Sequence, residues 1–190
     1  MLILHSYRTR FNQPGFSLIE VMIAVVIIGI VLAMGVSSYK VWIENTRIRA
    51  TAESIQNGLQ IARAEAIKRN AMVQFNFRTR SAWTVCLRPS TPSNCPFPDD
   101  ATTIQSRLES EGASDDITVA PAPAGSTRIT FNSFGQVDTT AVPPPFTSLQ
   151  IDNTELAAAD KRILRVTVNQ GGNTRMCDPK FSYISDPKGC

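Results

Sequence analysis

Glu20 is the residue whose position most clearly points to chemistry, because it stands at the head of a long uncharged segment. Residues 21–39 contain no Asp, Glu, Lys or Arg. A segment of this length is sufficient to cross a bilayer as a helix. A carboxylate at the edge of hydrocarbon is costly unless it reaches water or finds a cationic partner. Glu20 is therefore a candidate for charge pairing, the alternative being a side chain that extends to the membrane surface.

The second group of candidate residues is the four cysteines, which can form disulfides or bind a metal: Cys86, Cys95, Cys177 and Cys190. An even count in a domain outside the cytoplasm is typical of two disulfides, for which three connectivities exist. We expect Cys86–Cys95 and Cys177–Cys190, because each pair closes a short loop rich in Pro, Ser, Asn or Gly. Zinc is the alternative, but neither spacing is that of a short ligand knuckle and no histidine lies nearby.

The histidine content and the absence of catalytic sequence motifs argue against an enzyme. His5 is the only histidine, so the rest of the chain lacks the usual general base and the commonest transition-metal ligand. The sequence has neither a G-x-S-x-G nucleophile motif nor a G-x-x-x-x-G-K-[ST] phosphate loop. We therefore expect a non-enzymatic protein without a cofactor or a metal site.

One long helix is predicted to carry Glu20. No proline occurs between Pro14 and Pro89, which permits a helix from about Phe16 to about Arg69. We expect residues 16–40 to span the membrane and residues 41–70 to form an amphipathic continuation. Apolar residues recur there at spacings of four and three, which indicates one buried face: Ile48, Ala52, Ile55, Leu59, Ala62 and Ala66.

The second part of the chain reads as a series of short strands. Alternating or β-branched segments are separated by Pro- and Gly-rich breaks at 89–98, 121–125 and 143–145. Because strands follow one helix without βαβ alternation, the pattern predicts an α+β fold. In it the long N-terminal helix packs on a largely antiparallel β-sheet head, residues 71–190. The predicted strands are 72–77, 83–87, 102–108, 117–120, 128–131, 147–151 and 163–168.

The N-terminal pattern resembles a known processing signal. Gly15-Phe16-Ser17-Leu18-Ile19-Glu20 follows a short leader containing Arg8 and Arg10 and precedes the apolar helix. This arrangement resembles the class III signal of type IV pilins and type II secretion pseudopilins. Residues 59–70, which lead directly into 71–77, resemble the helix end of the GspH/FimT (FimU-like) family of minor pilins, and residues 129–135 and 165–168 resemble its later strands. The resemblance implies a type IV pilin-like fold and a minor pilin or pseudopilin.

The resemblance also implies roles and partners. Prepilin peptidase would remove the leader, residues 1–15, by cutting between Gly15 and Phe16, and would methylate the new amine of Phe16. Glu20 would then guide docking by pairing with the N-terminal amine of a neighbouring subunit. The chain would begin as a single-pass inner-membrane protein in contact with lipid, its N-terminus cytoplasmic and its head periplasmic. The implied partners are the inner-membrane assembly platform, other minor pilins and the major pilin, or the corresponding pseudopilins.

The function implied in this way is assembly, priming or capping of a type IV pilus, with the fibre or its tip as the final location. A type II secretion tip pseudopilin is one alternative, since it would share nearly every feature of the sequence.

A DNA-binding minor pilin of a DNA-uptake pilus is the other alternative. Residues 47–88 carry eight Lys or Arg against two Asp or Glu, residues 89–160 carry two against ten, and residues 161–190 carry six against two. Family members on DNA-uptake pili use a Gly-Arg-x-Arg motif, and the matching stretch is Gly172-Asn173-Thr174-Arg175, which departs from it at Asn173. A solvated face with salt bridges to the acidic middle would explain the same charges. The candidate phosphate contacts are Arg175, Lys180, Arg165, Arg162 and Lys161.

Overall fold

The structure, a computed structural model, describes residues 15–89, 93–97, 99–111, 115–184 and 186–190, without the side chains of 33–37. The chain divides into two compact units, Met1–Tyr39 and Lys40–Cys190. The expected leader lies outside the described residues except for Gly15. The second unit is called the head below.

Helix α1 spans Leu18–Arg69, so it begins two residues later than predicted and ends at the expected position. The carbonyl of Ser17 accepts the backbone N–H groups of Glu20 at 3.1 Å and Val21 at 3.2 Å, which closes the first turn. After Arg69 the chain leaves the helix through Asn70, whose φ is 47°. Asparagine is among the few residues other than glycine that adopt this left-handed conformation readily.

Within the described residues, no helix combines the length and the apolar character needed to cross a membrane. The membrane helix expected over residues 16–40 includes 33–37, whose side chains the structure does not describe. That segment therefore stays a prediction.

Eight strands follow in the described part of the head, one more than predicted. The additional strand, β8, is short and lacks a regular alternation of apolar residues. Strand β4 continues into Pro121 and Ala122, where a break was expected. The strands are β1 Val73–Phe77, β2 Trp83–Leu87, β3 Thr103–Arg107, β4 Ile117–Ala122, β5 Arg128–Phe131, β6 Ser148–Asn153, β7 Leu164–Val168 and β8 Thr174–Cys177.

The strands form two four-stranded sheets with antiparallel pairing throughout, which confirms the α+β prediction. The first sheet has the order β3-β2-β1-β5 and the second has the order β4-β6-β7-β8. Strand β4 lies at an edge, which explains why Pro121 is tolerated there: proline cannot donate a hydrogen bond to a further strand.

The predicted apolar face of α1 is confirmed, since all six of its residues are fully buried in the core between the helix and both sheets. Gly58 allows the closest approach to the first sheet: a Cβ at this position would lie 2.8 Å from Phe75 Cε2 and 3.0 Å from the Trp83 ring. Two polar contacts fix the helix further. Trp83 Nε1 donates to Ser54 Oγ at 2.9 Å, and Asn153 Nδ2 of the second sheet donates to the buried Glu44 Oε2 at 2.9 Å.

Candidate assembly site and basic surface

The Gly15–Phe16 bond lies in an open environment. No described atom, apart from its chain neighbours, lies within 4 Å of the place that a Cβ of Gly15 would occupy. The Phe16 side chain is 83% exposed, and helix α1 begins only at Leu18. The bond therefore precedes helix α1 and is not part of it.

Glu20 is exposed in the first turn of α1. A negative charge in this turn is favourable because the N-terminal end of a helix carries a partial positive charge. Ser17 and Glu20 also have the spacing of a capping box, in which the carboxylate reaches back to the N-cap backbone.

The side chains on both sides of Glu20 and along the helix after it present an apolar surface. In the first unit the described Val, Ile, Leu and Met side chains of α1 are all exposed by half or more. Folded monomers rarely expose patches of this size unless lipid or another protein covers them. The exposed residues are Leu18, Ile19, Val21, Met22, Ile23, Val25, Val26, Ile27, Ile28, Ile30, Val31 and Leu32.

Both cysteine pairs proposed from the sequence are bonded in the structure. The Cα atoms are 5.8 Å apart in Cys86–Cys95 and 5.1 Å apart in Cys177–Cys190. Among the described residues there is no cluster of His, Cys, Asp and Glu suited to a metal ion. The first disulfide fastens a loop over the first sheet, and the second fastens the C-terminal end of the chain to β8.

Arg175 is committed to the C-terminal loop. Its Nη2 donates to the carbonyl oxygens of Pro187 at 2.7 Å and Gly189 at 2.8 Å. Its guanidinium also lies over the Tyr183 ring, 4.3 Å from the centroid. These contacts make Arg175 an internal brace of the loop that the Cys177–Cys190 disulfide closes.

Three other candidate phosphate contacts also have partners within the chain. Lys180 Nζ donates to the Lys161 carbonyl at 3.0 Å, and Lys161 Nζ lies 2.9 Å from Asp152 Oδ1. Arg165 Nη2 donates to Gln150 Oε1 at 2.8 Å. Of these three contacts, only that of Lys161 with Asp152 joins opposite charges, and the other two are hydrogen bonds to neutral groups.

Arg162 is exposed, as is Lys180, and it contacts the rest of the fold through its backbone. Its backbone N–H donates to Asn45 Oδ1 at 2.7 Å, which ties this segment to α1.

The stretch that departs from the DNA-uptake motif forms a packing corner against α1. Arg63 donates through Nε to the Gly135 carbonyl at 3.1 Å and through Nη1 to Asn173 Oδ1 at 2.8 Å. Gly172 has a φ of +76°, and a Cβ there would lie 2.0 Å from the Gly135 oxygen. Only glycine fits this position. The role of Arg63 could not be predicted from local sequence, because its partners are 72 and 110 residues away along the chain.

Comparisons with known proteins agree with this architecture. The family model of the type II transport protein GspH matches residues 51–172, and the model of the prokaryotic N-terminal methylation motif matches residues 10–36. No curated protein matches the sequence.

Among solved structures, the type IV minor pilin FimU of Pseudomonas aeruginosa strain PAO1 is similar, with a TM-score of 0.53 and 17% identity over 74% of this chain and 95% of that chain. The minor pseudopilin EpsH from the type 2 secretion system of Vibrio cholerae has a TM-score of 0.49 and 17% identity over 71% of this chain and 99% of that chain. The similarity to FimU shows that the two chains share a fold. Because the GspH model covers well over half of the chain and the methylation motif precedes it, the chain belongs to the GspH family of minor pilins and pseudopilins.

Proposed function

We propose that this chain is a non-enzymatic minor pilin that takes part in the assembly, priming or capping of a type IV pilus. The observation that carries the proposal is the arrangement at the N-terminus. Within the residues that match the methylation motif, an open Gly15–Phe16 bond and a first-turn carboxylate, Glu20, precede an exposed apolar helix surface. Before assembly the chain is anchored in the inner membrane, with the head in the periplasm.

Processing supplies a cation with which Glu20 can pair. Hydrolysis of the Gly15–Phe16 peptide bond by prepilin peptidase leaves a carboxylate on Gly15 and a free amine on Phe16, which is then methylated and keeps its positive charge. When the helix enters a bundle of similar helices, Glu20 leaves water and needs an opposite charge. The amine of a neighbouring subunit supplies it, and in a low-dielectric bundle this pairing fixes the register of the incoming subunit.

The apolar surface of α1 then supplies the area buried in the fibre. Lipid covers these side chains before assembly, and neighbouring helices cover them afterwards. The head remains outside this bundle and supplies contacts to other minor pilins or to the major pilin.

The Glu20 role is tested in cells of the source organism with Glu20→Gln and Glu20→Ala. Glutamine keeps most of the capping capacity but removes the charge, whereas alanine removes both. We expect both variants to be cleaved after Gly15 like the wild type and to be lost from the sheared fibre fraction, measured by immunoblot and by mass of the N-terminus. Incorporation of Glu20→Gln at the wild-type level would show that charge pairing is not required.

Glu53→Gln is the matched control. Glu53 lies on the same helix but in the head, where it pairs with Arg49 at 2.8 Å on the exposed face. We expect this variant to enter the fibre normally.

The fibre type is tested by deletion and complementation. Loss of surface pili, restored by the wild-type chain, supports the type IV pilus. Loss of a secreted protein with intact pili would instead identify a type II secretion pseudopilin.

A further inference from the structure

The face of the first sheet that points away from α1 carries a row of polar residues. In β1, Phe75 and Phe77 alternate with Asn76, and only the two phenylalanines face the core. Asn76 is in register with Thr84 of β2, and Thr84 is in register with Ser106 of β3. Because directly paired residues share a sheet face, Asn76, Thr84 and Ser106 form one row across three strands.

A cleft of about 490 Å³ lies along this row and is called the outer cleft here. Two apolar side chains line it while remaining largely in solvent: Phe97 is 66% exposed and Leu108 is 51% exposed. Arg78 fixes the loop that carries Phe97, because its Nη2 donates to the carbonyls of Cys95 and Pro96, both at 3.0 Å. Its guanidinium lies 4.6 Å from the Phe97 ring centroid. The cleft is therefore built on the first sheet and on the loop residues Cys95 and Pro96, which Arg78 and the Cys86–Cys95 disulfide hold.

Asn76 adds an unsatisfied group to this cleft. Its side chain is 1% exposed and its Nδ2 donates to the Thr127 carbonyl at 2.9 Å, which leaves Oδ1 as an acceptor. In the described part of the chain nothing donates to that oxygen. Buried acceptors without a donor are costly and uncommon in native proteins, so each one needs an explanation.

We propose that the outer cleft binds a short extended peptide segment of a neighbouring pilin-type subunit. An apolar side chain of the segment packs between Phe97 and Leu108, and a backbone N–H donates to Asn76 Oδ1. That oxygen is covered when the cleft is empty, so binding includes a small rearrangement of side chains at the floor. The partner class rests on the proposed function, since a fibre subunit meets other subunits along its head.

Three features favour a peptide over other occupants. Strand β3, which carries Ser106 at one end of the polar row, lies at the edge of its sheet, and edge strands are common sites of pairing with an extended chain. The missing partner of Asn76 is a donor, which every non-proline backbone supplies. A bound water would satisfy Asn76 but would leave Phe97 and Leu108 in solvent.

The test places the photo-crosslinking residue p-benzoylphenylalanine at Phe97 or at Leu108 of the full chain in cells of the source organism. Crosslinked peptides are identified by mass spectrometry, and incorporation of the chain into the fibre is measured in the same cells. We expect both positions to capture the same segment of a chain that carries an N-terminal methylation motif. We also expect Leu108→Glu to lower the yield at Phe97 at least tenfold.

The same probe at Phe134 is the matched control, because Phe134 is also exposed in the head but does not line the cleft. It should not capture that segment. A chain that enters the fibre without a crosslink at Phe97 or Leu108 overturns the cleft proposal alone. Capture of lipid, nucleic acid, saccharide or a protein without the motif also overturns it. Absence of the chain from the fibre contradicts the proposed function, and absence of a crosslink then contradicts both.

Discussion

Asp138 shows how single side chains make the stability of the head depend on pH. The hydroxyl of Thr140 donates to Asp138 Oδ1 at 2.6 Å, and Arg88 lies 3.0 Å from Oδ2. The Thr140 hydrogen bonds and the Arg88 charge hold the pKa of Asp138 below its ordinary value of 3.8. A carboxyl group whose pKa is lowered on folding stabilises the folded state above its unfolded pKa, and this contribution is lost as the pH falls through the folded value.

We therefore predict that Thr140→Ala lowers the free energy of unfolding near neutral pH by about 1 kcal/mol. The difference from the wild type should shrink as the pH falls below about 4, because the protonated carboxyl no longer requires the hydroxyl. Urea unfolding at several pH values measures it. Thr140→Ser, which keeps the hydroxyl, should follow the wild-type profile, and a pH-independent difference would contradict the assignment.

Arg175 is predicted to stabilise the folded head through its contacts with the C-terminal loop. Arg175→Ala removes both hydrogen bonds to the C-terminal loop and the contact with Tyr183. Since hydrogen bonds to charged groups are worth about 1.5–3 kcal/mol, we expect a loss of that order. Hydrogen exchange should report it as faster exchange across residues 178–189. The exposed Arg162→Ala is the control, with an expected change within about 0.5 kcal/mol, and equal effects of the two variants would argue against the brace.

At the scale of elements, the contact between α1 and the first sheet depends on the absence of a side chain at Gly58. Alanine would gain up to about 1 kcal/mol in helix propensity. Its Cβ, however, would lie 2.8 Å from Phe75 and 3.0 Å from Trp83, and overpacking of this kind costs about 1–3 kcal/mol. We predict that Gly58→Ala destabilises the head in thermal unfolding. Asn57→Ala, on the exposed side of the same turn, should be neutral or slightly stabilising.

The elements that could be predicted from the sequence are those whose signal is local. The buried face of α1 follows from apolar spacing, and β2 and β5 have the predicted bounds because Trp83–Leu87 and Arg128–Phe131 are dense in β-branched or aromatic residues. Strand β8 was missed because Thr174–Cys177 has no such pattern and is held by pairing with β7. The end of β4 was missed because Pro121 marks a break only where a strand has neighbours on both sides.

The candidate functional residues differ in the same way, since some can be predicted from local sequence and others only from the folded chain. Glu20 stands out because a stretch of twenty residues is enough to show a carboxylate beside an apolar segment, where a charge is costly in free energy. The contacts made by Arg63 and Arg175 depend on residues brought together by the fold. The charge of Arg175 alone therefore suggested a nucleic-acid surface, and Arg63 was not singled out. The outer cleft depends on the register of three strands, which composition does not specify.

At the scale of the whole molecule, the separation of the chain into Met1–Tyr39 and Lys40–Cys190 allows the DNA alternative to be tested on the head. The net charge of the full chain is only +3 at pH 7. Arg175, Lys180, Lys161 and Arg165 all have internal partners. Phosphate binding would compete with these contacts for the same cations, whereas a nucleic-acid surface normally offers unengaged Lys and Arg side chains that displace counterions from the DNA. We therefore expect the head to bind duplex DNA no more tightly than a nonspecific weakly basic protein.

Gel-shift titration of an oxidised fragment from Lys40 to Cys190 at several salt concentrations checks this expectation. Arg175→Ala is a poor probe by itself, because loss of the loop brace would lower binding indirectly. Arg162→Gln is better, since its side chain is exposed and no described contact of the fold depends on it. Tight binding with a steep salt dependence would favour the DNA-uptake alternative if Arg162→Gln lowers the slope of log K against log salt concentration by about one. Weak binding that this substitution leaves unchanged would support a basic region that serves the fold.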